Sequence, residues 1–195
     1  MKLKIIILAL ICLLPALIPG QTPDKGKIGI SYSIGGATSF ADRTEGAPDF
    51  EFSNATSFGL NYLAPKNNLI AWETGVNYSL YNIKTLPADG VDREISNSTM
   101  TLIDIPLGVR ADFADFFFVN GGMLIGFEMT NNSTFHSQSG FGVYGGAGGN
   151  YDFKFGGSIF INPFVKIYSL LPFAEWKNHS KLLEYGVRIG VLYKI

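Results

Sequence analysis

From residue 28 onward the chain alternates between large apolar and small or polar residues. In the first run, Ile28, Ile30, Tyr32 and Ile34 alternate with Gly29, Ser31, Ser33 and Gly35. Successive side chains leave a strand on opposite sides, so such alternation marks a β-strand with two unlike faces. The pattern recurs seven more times, with apolar positions spaced by two across residues 58–62, 70–80, 101–109, 119–129, 141–153, 159–167 and 183–193. The positions between them carry Gly, Ser, Asn and a few charges. No segment after Gln21 holds an apolar stripe at helical spacing. The pattern predicts eight strands of roughly 10–14 residues, longer than the ~5–6 of globular strands and matched to the ~9–11 that a tilted strand needs to cross a bilayer.

The choice of apolar face decides between two kinds of barrel. A water-soluble barrel turns its large apolar side chains inward. Here the opposite face is Gly, Ser and Asn, which bury too little apolar area to make a core. They suit the narrow lumen of an eight-stranded barrel, which side chains alone can fill. The apolar face then meets lipid. The expected fold is all-β: an eight-stranded antiparallel up-and-down transmembrane β-barrel.

The connections support this. Residues 41–52, 83–97, 130–139 and 170–181 are long and polar, and residues 64–69, 111–115 and 154–155 are short. Outer-membrane barrels have long extracellular loops and short periplasmic turns, so this order places both termini in the periplasm. Tyr62, Trp72, Phe113, Phe116, Phe153, Phe155 and Tyr193 gather at the short-turn ends, as an interfacial girdle does. Pro106 and Pro163 fall inside strands, where a missing N–H predicts a bulge or bend.

Composition narrows the classes further. Only 16% of the 195 residues are charged, against roughly 25% for a soluble domain. A net charge of −1 excludes a basic nucleic-acid-binding surface. Residues 1–20 read as a secretory signal peptide: Lys2 and Lys4, an apolar run over residues 5–14, then Pro15, Pro19 and Gly20. The run is shorter than the ~20 residues of a membrane helix. Residues 21–195 then form one barrel domain. Cys12, the sole cysteine, leaves with the signal, so no disulfide or thiolate metal site is expected.

Two segments carry a family resemblance. Residues 188–195, RIGVLYKI, resemble the outer-membrane β-signal: polar Arg188, then Gly190, aromatic Tyr193 and terminal Ile195, which stands where an aromatic is more usual. Residues 102–110, LIDIPLGVR, resemble the L-x-I-P-L strand of the Bacteroidetes-type outer-membrane β-barrel domain family, which includes PorT-like proteins and shares its layout with small OmpA/OmpX-type barrels. The resemblance implies outer-membrane lipid and the barrel assembly machinery as partners, the latter through the C-terminal strand. PorT-like members are tied to protein secretion.

Candidate chemistry is sparse. Glu73, Asp104, Glu128, Asp152 and Glu184 share the inward parity with Arg110, Lys166 and Arg188. Charges in a tight interior must pair, so a plugging ion-pair network is expected, with a narrow ion path as the alternative. His136 and His179 are the two histidines, both in long connections. His136 with Ser137, Ser139 and Glu128 would suit a rim enzyme acting on lipid A. Residues 140–145 match GxGxxG, but no helix pattern follows, so they read as a glycine-lined strand. Two histidines far apart give no metal signature, and no cofactor is expected. The reading is a non-enzymatic outer-membrane barrel with a structural, adhesive or assembly-related role. Its protein partners would meet the loops at 41–52, 83–97, 130–139 and 170–181. A lipid A-modifying rim enzyme and a soluble ligand-binding barrel are the alternatives.

Overall fold

A computed structural model describes residues 26–40, 49–65, 69–86, 96–114, 116–130, 137–173 and 181–195. Its strands are β1 (Lys27–Phe40), β2 (Asp49–Pro65), β3 (Ile70–Leu86), β4 (Ser96–Phe113), β5 (Phe117–Glu128), β6 (Gly140–Asp152), β7 (Gly157–Pro172) and β8 (Lys181–Lys194). Each pairs antiparallel with the next, and β8 pairs back to β1, closing a barrel. Closure runs from Lys27↔Lys194 to Phe40↔Lys181. The Ile195 amide donates to the Gly26 carbonyl at 2.8 Å, so both ends of the barrel chain meet at the short-turn rim.

The alternation sorts the side chains as a barrel requires. Ile34, Leu60, Met123, Ile161 and Ile189 face outward, each more than half exposed. Ser31, Ser57, Asn61, Asn77, Asn120 and Asn162 face inward and are buried. Trp72, Phe113, Phe116, Phe155 and Tyr193 stand exposed near the short-turn rim, where Tyr151 meets Phe153 edge to face at 5.0 Å and Phe153 stacks on Phe155 at 5.2 Å.

Three features depart from the sequence reading. The strands are longer, 12 to 18 residues. Strand β2 starts at Asp49, inside the expected 41–52 loop. Strand β3 runs on to Leu86 and β4 begins at Ser96, both inside 83–97, and β7 reaches Pro172, inside 170–181. These extensions are hairpin legs where the outward apolar row stops and apolar side chains such as Ile83 and Phe52 pack into the lumen end instead. Second, neither proline makes a bulge. The β3–β4 ladder skips from Thr74↔Leu107 to Asn77↔Asp104 beside Pro106, and β6–β7 skips from Gly146↔Phe164 to Gly149↔Ile161 beside Pro163. The register on each far side is unchanged. Each proline turns its missing donor toward one neighbour and stays paired with the other, Pro106↔Leu124 and Pro163↔Val187.

Third, the bulges lie elsewhere. In β7, Phe141↔Leu171 and Val143↔Ile167 leave Tyr168, Ser169 and Leu170 opposite Gly142. Ser169 takes a left-handed φ of 54° there. In β2 a shift between Phe52 and Ala55 coincides with a parting of the wall, since β1 pairs with β2 only as far as Gly35↔Ala55.

Candidate functional site: a layered lumen

Two apolar clusters occupy the ends of the lumen. Leu63, Ala71, Phe118, Phe160 and Leu192 fill the short-turn end. Met100, Leu102, Leu124, Leu182 and Ile83, with Tyr81 and Tyr168, fill the loop end. Polar and charged side chains are sandwiched between them.

On the short-turn side of this layer, Arg110 lies over the Phe118 ring, 3.7 Å from its centroid. It donates through Nε and Nη2 to Asp112 Oδ1 at 2.9 and 2.7 Å, and through Nη2 to Asn150 Oδ1 at 2.8 Å. Farther in, Arg188 Nη2 donates to Glu73 Oε1 at 2.9 Å and to Asn162 Oδ1 at 2.7 Å. Asn120 Nδ2 occupies the other Glu73 oxygen at 2.7 Å. Strands β3 and β8, far apart around the wall, are thereby braced across the lumen.

A second brace joins β3, β4, β7 and β8. Asp104 accepts from Asn77 Nδ2 at 2.8 Å, Lys166 Nζ at 3.1 Å and Tyr168 OH at 2.9 Å. Tyr81 OH donates to Glu184 Oε2 at 2.6 Å, and the Tyr168 hydroxyl lies 2.8 Å from the same oxygen. Lys166 Nζ stands 3.7 Å from Glu184 Oε2, so one ammonium serves two carboxylates. The β7 bulge sets Tyr168 between them. Asp104, Glu73 and Glu184 are buried with Lys166, Arg188 and Arg110, so the interior charge is balanced. Removal from water makes an unpaired charge here very costly, and each of the six has a partner of opposite sign.

Two residues expected in this network lie at its ends, Asp152 joined to Arg110 only through Asn150 and Glu128 apart from it. Asp152 is exposed at the short-turn rim, where Lys27 Nζ donates to both its carboxylate oxygens at 2.8 Å and to Ser158 Oγ at 3.1 Å. That clamp ties β1 to the β6–β7 hairpin. Glu128 ends β5 near the loop end, where its Oε2 accepts from the Gln138 amide at 2.8 Å and its own amide donates to Ser139 Oγ at 2.9 Å. These two bonds dock residues 137–139 onto β5. Both carboxylates have the inward parity, but parity does not say whether a position lies at mid-lumen or at a rim.

The sequence reading missed the apolar ends of the lumen and the two tyrosines. The signal was present: Tyr81, Leu102, Leu124, Phe160, Phe164 and Tyr168 all sit at inward parity. They are large residues on the face read as small and polar. His136 and His179 lie outside the described residues. Ser139, set beside His136 in the rim-enzyme alternative, accepts from Glu128 as above, and residues 140–145 are strand throughout. Among the described residues no three His, Cys, Asp or Glu side chains converge as metal ligands.

No family model and no curated protein matches the chain. Similar solved structures include the crystal structure of Ail, the attachment invasion locus protein of Yersinia pestis, with 14% identity over 88% of this chain and 99% of that one and a TM-score of 0.42. Outer membrane protein AlkL, solved in DMPC lipid bilayers, is 12% identical over 91% of this chain and 92% of that one, with a TM-score of 0.43. The translocator domain of autotransporter NalP from Neisseria meningitidis is 11% identical over 100% of this chain and 96% of that one, with a TM-score of 0.32. Nothing about the role of this chain rests on these likenesses.

Proposed function

We propose that the chain is an integral outer-membrane barrel that anchors its long connections at the cell surface, in an adhesive, structural or assembly-related role without catalysis or conduction. The observation that carries this reading is the inversion of polarity: an apolar belt around a closed wall, enclosing a hydrogen-bonded polar interior. In water that belt would be a continuous apolar patch of a size that drives association. In lipid it is the favourable surface, and a closed barrel leaves no sheet edge facing lipid. The apolar layer at each end of the lumen supports the non-conducting part of the reading.

In this reading the termini and short turns face the periplasm, and the connections after β1, β3, β5 and β7 face outward. Arg188, Gly190, Tyr193 and Ile195 would serve as the insertion signal. Tyr193 and Ile195 are more than half exposed at the short-turn rim, open to assembly machinery. Fractionated cells should yield the protein in the outer membrane, extracted only by detergent, with a compact band before boiling and a slower one after. Deleting residues 193–195 should shift it to degraded periplasmic material. Recovery of the intact chain as a detergent-free soluble protein would overturn the reading.

A further inference from the structure

The apolar belt is interrupted on one side. Outward positions on β5 and β6 include Gly121, Gly145, Ala147 and Gly149, where the neighbouring strands carry Ile, Val and aromatics. At Gly149 the interruption becomes a cleft of about 720 Å³ with almost entirely apolar walls. One cross-strand row runs through its lining: Tyr32 beside Ile189, Ile189 beside Ile161, Ile161 beside Gly149, and Gly149 beside Phe117. At the short-turn edge, Phe116 and Tyr151 stack with centroids 6.4 Å apart and planes within 6°.

Barrel packing does not require a glycine at 149. A Cβ there would meet only the Phe116 carbonyl oxygen, at 3.4 Å. Its neighbour Gly148 faces inward, where a Cβ would collide with the Ile161 carbonyl and the Phe118 ring. Gly149 therefore keeps the outer surface hollow. The cleft volume falls within the roughly 300–1,000 Å³ of ordinary ligand sites. It opens sideways from the apolar belt, so its occupant comes from the bilayer. Just past Tyr151, the turn between β6 and β7 presents Lys154, exposed, with the rings of its sequence neighbours Phe153 and Phe155 stacked on each other. A cation at the level of the aromatic rim matches an anionic headgroup.

We propose that this cleft is a binding site for one anionic phospholipid of the leaflet on the short-turn side, its acyl chain lying over Gly149 and its phosphate on Lys154. This rests on the membrane reading above. The test is native mass spectrometry of the full barrel released from mild detergent after loading with phosphatidylglycerol or phosphatidylcholine of identical chains. The wild type should retain one phosphatidylglycerol. Gly149→Leu should lower retention at least tenfold, because its side chain fills the floor. Gly149→Ala, which adds one carbon, should give an intermediate loss and serves if the leucine variant does not fold. Gly145→Leu, outward but off the row, should retain lipid as the wild type does. Lys154→Gln should remove the preference for phosphatidylglycerol. Retention unaffected at Gly149, a stripped wild type that still runs as the compact unboiled band, or a dimer mass in place of lipid would overturn the proposal. Failure of the membrane reading would show separately, as a protein soluble without detergent.

Discussion

Glu73 and Arg188 are 115 residues apart in sequence and meet at 2.9 Å across the lumen. Each is almost completely buried, so each is stabilised by the other rather than by water. Removing one partner of such a pair strands a charge and costs about 3–5 kcal/mol, while replacing both with apolar residues is close to neutral. Arg188→Met should therefore destabilise the barrel by about 3–5 kcal/mol, and Glu73→Leu with Arg188→Met should recover at least half of that. Urea unfolding from lipid vesicles, single variants against the double, would measure it. A double variant as unstable as Arg188→Met would mean the loss comes from packing. Parity was enough to place Glu73, Asp104, Lys166, Glu184 and Arg188 on the inner face. It could not say which would touch, because that depends on the stagger of strands around the closed wall. The same limit drew Glu128 into a network it does not join and placed Asp152 at mid-lumen, where it stands at the rim and reaches Arg110 only through Asn150.

The strands were legible wherever one face is lipid-facing and the other is not. Their ends were not: above Gly35↔Ala55 on β1 and β2, and beyond Asn82 on β3, the outward apolar row stops while large residues such as Ile83 turn into the lumen, so one face no longer stands out as lipid-facing. The prolines make no bulge for a different reason, since a strand has two edges and each proline spoils the ladder on one of them only. Glycine, by contrast, marks close approach along the closing pair. A Cβ on Gly35 would run into the backbone carbonyl of Tyr185 and the Cα of Gly186 on β8. Gly35→Ala should accordingly weaken the β1–β8 seam and reduce the fraction of compact unboiled band on a gel. Gly145→Ala, outward with its nearest listener the Asn120 carbonyl at 3.8 Å, should leave that fraction unchanged. Equal behaviour of the two variants would show that the seam tolerates a wider spacing.

At the scale of the molecule, the eight-stranded closed barrel and its polarity could be read from period two and the order of long and short connections. The layering of the lumen could not, since it requires large inward residues to fall at matching heights on strands distant in sequence. The meeting of Ile195 and Gly26 by a hydrogen bond has a further consequence. A ring has no intrinsic first member; only the cut in the covalent chain confers one. Surface ends that lie close together can be joined and the chain reopened elsewhere. A circular permutant with residue 195 linked to residue 26, opened between Pro65 and Ile70, keeps every strand neighbour while moving RIGVLYKI from the end of the chain to its interior. It should refold from urea into detergent micelles with the same gel shift as the parent, yet fail to reach the outer membrane in cells. Success in both settings would show that the octet is recognised without a free terminus; failure in micelles would show that strand order along the chain, and not only around the ring, guides closure.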